Sequence, residues 1–551
     1  MITHDLNFDV IMIGAGPGNL ALAAMLDETS PAIAARSVML EACETIAWQP
    51  GLMVPGALSQ VNYVKDLATL RDPKSRFTFL NYLHSTGQID DFINMGSAFP
   101  LREEVSRYHA WVADLLTNVR LKLGQRVTQV APIREGHRIT GWRVETEARL
   151  SLTARHVVIG IGREARIPQE LMDLPDDRII HSTAFMQRIG RFAPEAIRSV
   201  AIIGSAQSAA EMTLEIGRRF PDAKRTMIMR SIGLMGYETS KFTNEYFYPD
   251  FIDSFNALPG EDRALVLEQM HRANYAGLAP HTVEALYAQR YQRKLDGRGD
   301  LEIRPLTWIR HAMVDDAAVT MRLHSKLDGP SEARFDLVLL GTGFDPQMPR
   351  LILETARAAG VDEVIIDRFY RLELGAQGSE SAMCFVLGVN EGTHGIADSL
   401  LSVQSVRAQE VGALIQRNSL RRCAADQRVK RFDPKMLVHE NGLRAQRLLP
   451  FPLTTPFESS WCILAPGSAS TPHAHHEYEI FVALEGEAVI EMDGEEVTLT
   501  RGDTVYFEPG ARHRVVNRGT TDFIMYSIWW DDAMSLRQLA ASMLPERNVA
   551  S

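Results

Sequence analysis

FDVIMIGAGPGNLALAAML, residues 8–26, decides the reading of the first half of this chain. Phe8 to Gly14 is a nearly continuous apolar run, the pattern of a parallel strand buried on both faces. It enters Gly14-Ala15-Gly16-Pro17-Gly18-Asn19 and then a run of helical composition. Gly14 permits the tight turn, and Gly16 lets the backbone approach a pyrophosphate seated on the helix N-terminus. Asn19 stands where the usual pattern has its third glycine. An acidic residue that holds ribose hydroxyls is expected about 20 residues on, and SVMLEA supplies Glu41 there. No arginine accompanies Glu41, which fits an unphosphorylated ribose, as in FAD or NAD.

A second unit of this kind lies at RSVAIIGSAQSAAEMTLEIGRRF, residues 198–220. Its strand leads into Gly204-Ser205-Ala206-Gln207-Ser208, with Ala206 in place of the second glycine. Arg230 follows the next strand-like run, and an arginine there suits a 2′-phosphate, hence NADP. FDLVLLGTGFDP (335–346) and ARHVVIGIGREARIP (154–168) read as the strands by which the chain returns to and leaves the first domain. The expectation is an α/β protein with two dinucleotide-binding, Rossmann-like domains. The flavin domain is split into residues 1–170 and 331–420, with an NADPH domain, 171–330, inserted.

Composition bounds the partners. The chain has 551 residues, a formal net charge of -11, 45% hydrophobic and 23% charged residues. That balance belongs to a globular protein of several domains, and its sign argues against nucleic acid or an anionic membrane. Cys43, Cys384, Cys423 and Cys462 form no CxxC, so neither a disulfide framework nor a zinc ribbon is expected, which fits the cytoplasm. The N-terminus has no signal-peptide pattern and no apolar run is long enough to span a membrane.

WQPGLMVPGALSQVNYVKDLATLRDPKSRFTFLNYLH (48–84) resembles the substrate and flavin segment of the flavin-dependent amino-acid N-hydroxylating monooxygenases, the L-ornithine and L-lysine N-hydroxylases. The resemblance continues through FPLREEVSRYHAWV, KFTNEYFYPDF, ANYAGL and NEGTHGIADSLLSVQSVRAQEV, covering about residues 5–415. It implies that Gln60 lies near the flavin and that Lys65 pairs with the substrate α-carboxylate. It implies that Asn244 and Asn274 hold the amino-acid head, Asn244 also touching the nicotinamide cofactor. Arg102 is implied near NADPH, and Gln207, Ser208 and Arg230 at its phosphates. Ser402 is implied where the far end of the pocket meets the flavin. The implied reaction consumes NADPH and O2, forms a flavin C4a-hydroperoxide and hydroxylates a side-chain amine. No protein nucleophile or acid–base group is required, because the flavin carries the hard step. Gly341-Thr342-Gly343-Phe344 departs from the family's Ala-Thr-Gly-Tyr. An α-amine such as that of L-aspartate is the alternative substrate, and a sensor protein with a degenerate flavin half is the alternative class. A homo-oligomer, dimer or tetramer, is expected.

The tail differs. A linker is expected at 421–445, followed over 446–551 by short β-runs punctuated by glycine, the pattern of a small all-β barrel. In GSASTPHAHHEYEIFVALEG (467–486), His473 and His475 alternate onto one face, with Glu479 beyond them. GDTVYFEPGARHRVVN (502–517) adds His513. Three histidines and a glutamate suit Zn, Fe, Mn, Ni or Cu rather than Ca. The two stretches resemble the motifs of the cupin family, with Glu508 where proline is usual. The expected roles for this domain are processing of the N-hydroxy product, including N–N bond formation or rearrangement, or non-catalytic ligand sensing.

Overall fold

A computed structural model describes residues 6–531, except 176, 239, 299, 316–317, 376–377, 379–381, 427–434, 436, 441, 450–456 and 493, and only the backbone of 420–426, 440 and 447–449. The chain divides into two compact units, Met1–Gly412 and Ala413–Ser551.

In the first unit the strand Phe8–Ile13 runs parallel to Ser37–Leu40 on one side and to Ser151–Ile159 on the other. Arg120–Lys122 and Cys384–Val386 extend the parallel part, and Val127–Glu135 with Arg138–Thr146 add an antiparallel edge. Val10, Ile11 and Met12 are wholly buried, which is why the run is apolar without alternation. The helix Pro17–Thr29 starts at Pro17, whose missing N–H costs nothing at that position.

The second sheet is parallel throughout: Leu301–Arg304, Lys224–Ile228, Ser199–Ile203, Leu337–Leu340, Ile179–His181. It buries Val200, Ile202, Met227 and Leu339 against the helix Gln207–Arg219, which contributes Met212 and Ile216. An antiparallel meander, Thr307–Val314, Val319–Ser325 and Gly329–Phe335, packs Val319, Met321 and Leu323 on Ala201, Ile228 and Val338. Leu337–Leu340 thus belongs to the second sheet, and the chain returns to the first from Gly341 onward, later than the boundary at 331. The leaving and returning segments lie side by side, with Arg166 N–H donating to the Gly343 carbonyl (3.0 Å) and Asp345 N–H to that of Glu164 (2.8 Å).

The second unit is antiparallel. One sheet runs Val438–Glu440, Leu443–Leu449, Glu458–Leu464, Phe523–Trp530, Tyr478–Glu485, Thr504–Phe507, and the other Glu495–Thr500, Glu487–Met492, His513–Val516. Phe481, Ile490, Leu499, Phe507, Val515 and Met525 fill the space between them. The first strand lies within the stretch expected to be linker, and the second begins in it and runs past its end at 445. Val438–Glu440 is the edge strand, where backbone pairing matters more than apolar side chains, and Leu443–Leu449 pairs on both sides and sends Leu443 and Ala445 into the core. Among the described residues no helix is long and apolar enough to cross a membrane. The two nucleotide-type sheets and the β-barrel are the fold class that the sequence predicts.

Candidate active site and metal centre

Both glycine turns open onto one cleft of about 2570 Å³. Gly14 has φ +87°, and a Cβ there would sit 2.6 Å from the Gly160 carbonyl oxygen; Gly204 has φ +134° and would meet that of Gly341 at 2.3 Å. Only glycine fits either place. The helices that follow, Pro17–Thr29 and Gln207–Arg219, have no side-chain N-cap. Their first amides and positive dipole ends are therefore available to phosphate. Glu41 ends its strand beside the first turn, accepting from Ala15 N–H (2.7 Å) and Cys43 N–H (2.9 Å). The cleft is also lined by Gly16, Gln60, Lys65, Arg102, Ser208, Arg230, Asn244, Asn274 and Ser402.

Three of these carry unpaired polar groups. Lys65 is half-buried, lies 5.6 Å from the Tyr248 ring centre and has no carboxylate partner among the described residues. Burial holds its ammonium pKa below the usual lysine range. Asn274 Nδ2 and Ser402 Oγ are buried without a hydrogen-bond partner among the described residues. A native interior satisfies such groups, so a ligand that accepts from Asn274 and meets Ser402 and Lys65 fits this cleft. Arg230, on the same cleft, is exposed and has no acidic partner among the described residues.

Three other residues stand differently from their expected roles. Asn19 is fully buried outside the cleft lining and donates through Nδ2 to the carbonyls of Ile13 (3.0 Å) and Gly14 (2.7 Å), bracing the turn from beneath. Gln207 reaches the cleft, but its amide is engaged by protein. It accepts from Ala279 N–H (2.9 Å) and donates to Glu211 (2.9 Å) and Thr282 (2.8 Å). Arg102 forms a buried two-pronged pair with Glu211 at 2.7 and 2.8 Å and donates to the Leu52 carbonyl (2.6 Å). It ties the Trp48–His84 segment to the helix of the second sheet.

Sequence reasoning missed a cluster on the same wall. Glu391 Oε2 accepts from Arg163 (2.6 Å) and from the Tyr275 hydroxyl (2.9 Å), which also meets Ser399 Oγ (3.2 Å). Burial, reinforced by the Glu391 charge, pushes Tyr275 up to about 12. Tyr275 follows Asn274, and Ser399 lies three residues before Ser402, so the cluster fixes the chain on both sides of those groups. Tyr237, whose hydroxyl donates to Gln60 Oε1 (2.7 Å), was missed too. No spacing rule marks an ion pair between residues 163 and 391; only the fold brings them together.

In the barrel, one ligand atom from each of His473, His475, Glu479 and His513 lies within 4.8 Å of the others. His473 and His513 face each other across a two-bond bridge, N to O 3.1 and 3.0 Å. All three rings place Nδ1 on a backbone carbonyl: His473 on Thr471 (2.9 Å), His475 on Glu477 (3.2 Å), His513 on Ala511 (3.0 Å). A carbonyl only accepts, so each Nδ1 donates to it and Nε2 is the ring atom turned to the cluster, where a metal would take it. Glu479 Oε2 lies 3.1 Å from His475 Nε2 and 3.2 Å from His513 Nε2, while Ser527 donates to Oε1 at 2.5 Å. Burial raises the Glu479 carboxyl pKa, but hydrogen bonds from His513 and Ser527 outweigh it and hold the group below the usual range.

A mostly parallel sheet, a second parallel sheet and a cleft that both glycine turns share are the architecture of a protein with two dinucleotide-binding domains, here on one chain with a small β-barrel. The family model described as L-lysine 6-monooxygenase/L-ornithine 5-monooxygenase matches residues 6–346, and that of the cupin domain matches 460–529. The chain belongs to the lysine/ornithine monooxygenase family and is a flavin-dependent N-hydroxylating enzyme fused to a cupin domain. It is 33% identical over 424 residues to an L-ornithine N(5)-oxygenase of Arthrobotrys oligospora, covering 73% of this chain and 87% of that protein. It is 31% identical to an L-ornithine N(5)-monooxygenase of Pseudomonas aeruginosa, covering 75% and 94%. Among solved structures, the ornithine hydroxylase from Pseudomonas aeruginosa superposes with a TM-score of 0.69 at 29% identity, over 74% of this chain and 99% of that one. A Kutzneria sp. 744 ornithine N-hydroxylase, in a form with reduced FAD, NADP+ and L-ornithine, gives 0.70 at 27%, over 75% and 100%.

Proposed function

We propose that the first unit binds FAD and NADPH and hydroxylates the side-chain amine of a free diamino acid, L-ornithine in the first place and L-lysine in the second. The observation that carries this reading is the set of unpaired groups, Lys65, Asn274 Nδ2 and Ser402 Oγ, on one cleft with two uncapped helix N-termini. On this reading the FAD domain is split around an NADPH domain that ends near Gly341. Gly14, Gly16 and Glu41 hold the FAD pyrophosphate and ribose. Gly204, Ser208 and Arg230 hold NADPH, with Arg230 on the 2′-phosphate. Bound FAD supplies the activation of O2.

The chain's own part is positioning. Lys65 receives the α-carboxylate as a charge-assisted contact. Asn244 and Asn274 hold the α-amino and carboxyl head. A head fixed at three points leaves the terminal amine at the end of a chain of set length, which favours a side-chain amine over an α-amine. The ornithine-specific names of the relatives favour the shorter substrate. The test is a screen of amino acids for hydroxylamine formation and for NADPH oxidation coupled to it. Flavin-loaded enzyme that yields no hydroxylamine from either diamino acid refutes the assignment.

The second unit, on the same proposal, binds one divalent transition metal through His473, His475, Glu479 and His513. The three Nδ1-to-carbonyl bonds support this, because they orient the rings and leave Nε2 of each as the atom a metal would take. Four protein ligands leave room for a hydroxylamine or carboxylate on a five- or six-coordinate ion. The domain therefore acts on the N-hydroxy amino acid, by rearrangement or by N–N bond formation with a second amine.

A further inference from the structure

We propose that Trp308 is the surface on which the adenine ring of NADPH stacks, and that it sets affinity for the adenosine half of the cofactor while Arg230 sets the choice of 2′-phosphate. The inference rests on the reading that the second sheet binds NADPH.

Trp308 is half-buried and lines the cleft together with Arg230 and Ser231. It is brought there by an unusual turn. Leu306 adopts φ +47°, a left-handed conformation that a leucine rarely takes. The turn is pinned on both sides. Thr307 N–H donates to the Met229 carbonyl (2.9 Å) and Leu306 N–H to that of Ser231 (3.0 Å), so the two bonds bracket Arg230. Lys326 N–H donates to the Leu306 carbonyl (3.0 Å). Backbone held in a costly conformation by its surroundings is concentrated at functional sites. Here it delivers an indole to the same rim as the free guanidinium.

The ring is not needed by the core. Ile309, the next residue, packs into the cluster with Ala201, Ile228 and Val319, whereas Trp308 joins no apolar cluster among the described residues. The Lys326 ammonium lies 5.3 Å from the indole ring centre, covering one face with a cation. A ring so backed offers its other face to a flat base, and every purine has a π-face to meet it. Stacking is indifferent to the ribose 2′ position, which separates the role of Trp308 from that of Arg230.

The experiment is equilibrium binding of NADP+, NAD+ and 2′,5′-ADP to the full-length flavin-loaded protein by calorimetry. In Trp308→Ala all three dissociation constants are expected to rise about tenfold or more, the range for removing one base–aromatic stack. Trp308→Phe should recover most of that loss, with melting temperature and flavin content unchanged in both variants. In Arg230→Ala only the two 2′-phosphorylated ligands should weaken. Wild-type affinities in Trp308→Ala, or no recovery in Trp308→Phe, overturn the assignment and leave the NADPH reading standing. Failure of the wild type to bind any of the three overturns both.

Discussion

A lysine side chain half removed from water, with no counter-charge among the described residues, holds its proton at a cost that a bound carboxylate repays. Lys65→Ala is therefore expected to raise the amino-acid KM by the equivalent of about 2–5 kcal/mol. NADPH oxidation without substrate should persist; an unchanged KM and unchanged coupling would place the carboxylate elsewhere. In the barrel, Ser527 ties one oxygen of Glu479 and leaves the other turned to two histidines. Ser527→Ala should weaken metal binding about 10- to 100-fold, measured by competition with a chelator; equal affinity would mean that the carboxylate needs no such tie. The family resemblance pointed to Lys65, and residue types and spacing to the four clustered barrel residues. They did not announce what Gln207 and Asn19 do. The resemblance implies a phosphate contact for Gln207, yet its amide is engaged by Ala279, Glu211 and Thr282, partners 4 to 75 residues away.

Elements were legible where burial writes a pattern. Phe8–Ile13 and Ser199–Ile203 lie inside parallel sheets, and their unbroken apolar runs say so. The same rule misplaced the return crossing, because Leu337–Leu340 is as apolar as a strand of either sheet and only its pairing with Ser199–Ile203 assigns it. The edge strand Val438–Glu440 and the start of its neighbour Leu443–Leu449 carried too little apolar signal to be told from a linker. The Arg102–Glu211 pair joins two elements that sequence treats as separate. Both side chains are nearly inaccessible, 6% and 7% exposed, so removing one leaves the other charge buried and alone. Arg102→Ala is expected to destabilise the first unit by about 3–5 kcal/mol, seen as a lowered melting temperature of the flavin-loaded protein. A variant that melts like the wild type while losing NADPH affinity would make Arg102 a cofactor contact instead.

At the scale of the whole chain, an N-hydroxylating enzyme and a metal-type barrel share one polypeptide. A tether raises the concentration of one site around the other without any new contact, and this matters most for a product that decomposes in water, as hydroxylamines do. The barrel residues that would hold the ion come from separated strands, so the centre exists only in the folded domain. His475→Ala removes one ligand from the half-exposed side of the set, where the surrounding core is least disturbed. The full-length variant is expected to lose about one equivalent of divalent metal by elemental analysis, after expression in metal-supplemented medium. Its flavin content and its rate of hydroxylamine formation should match the wild type. The product spectrum should not. Where the wild type converts the N-hydroxy amino acid onward, alone or with a second amino acid supplied, the variant should accumulate it. Identical products from the two proteins, with every amino acid offered as co-substrate, would mean that the barrel does no chemistry on the hydroxylamine, whatever ion it binds.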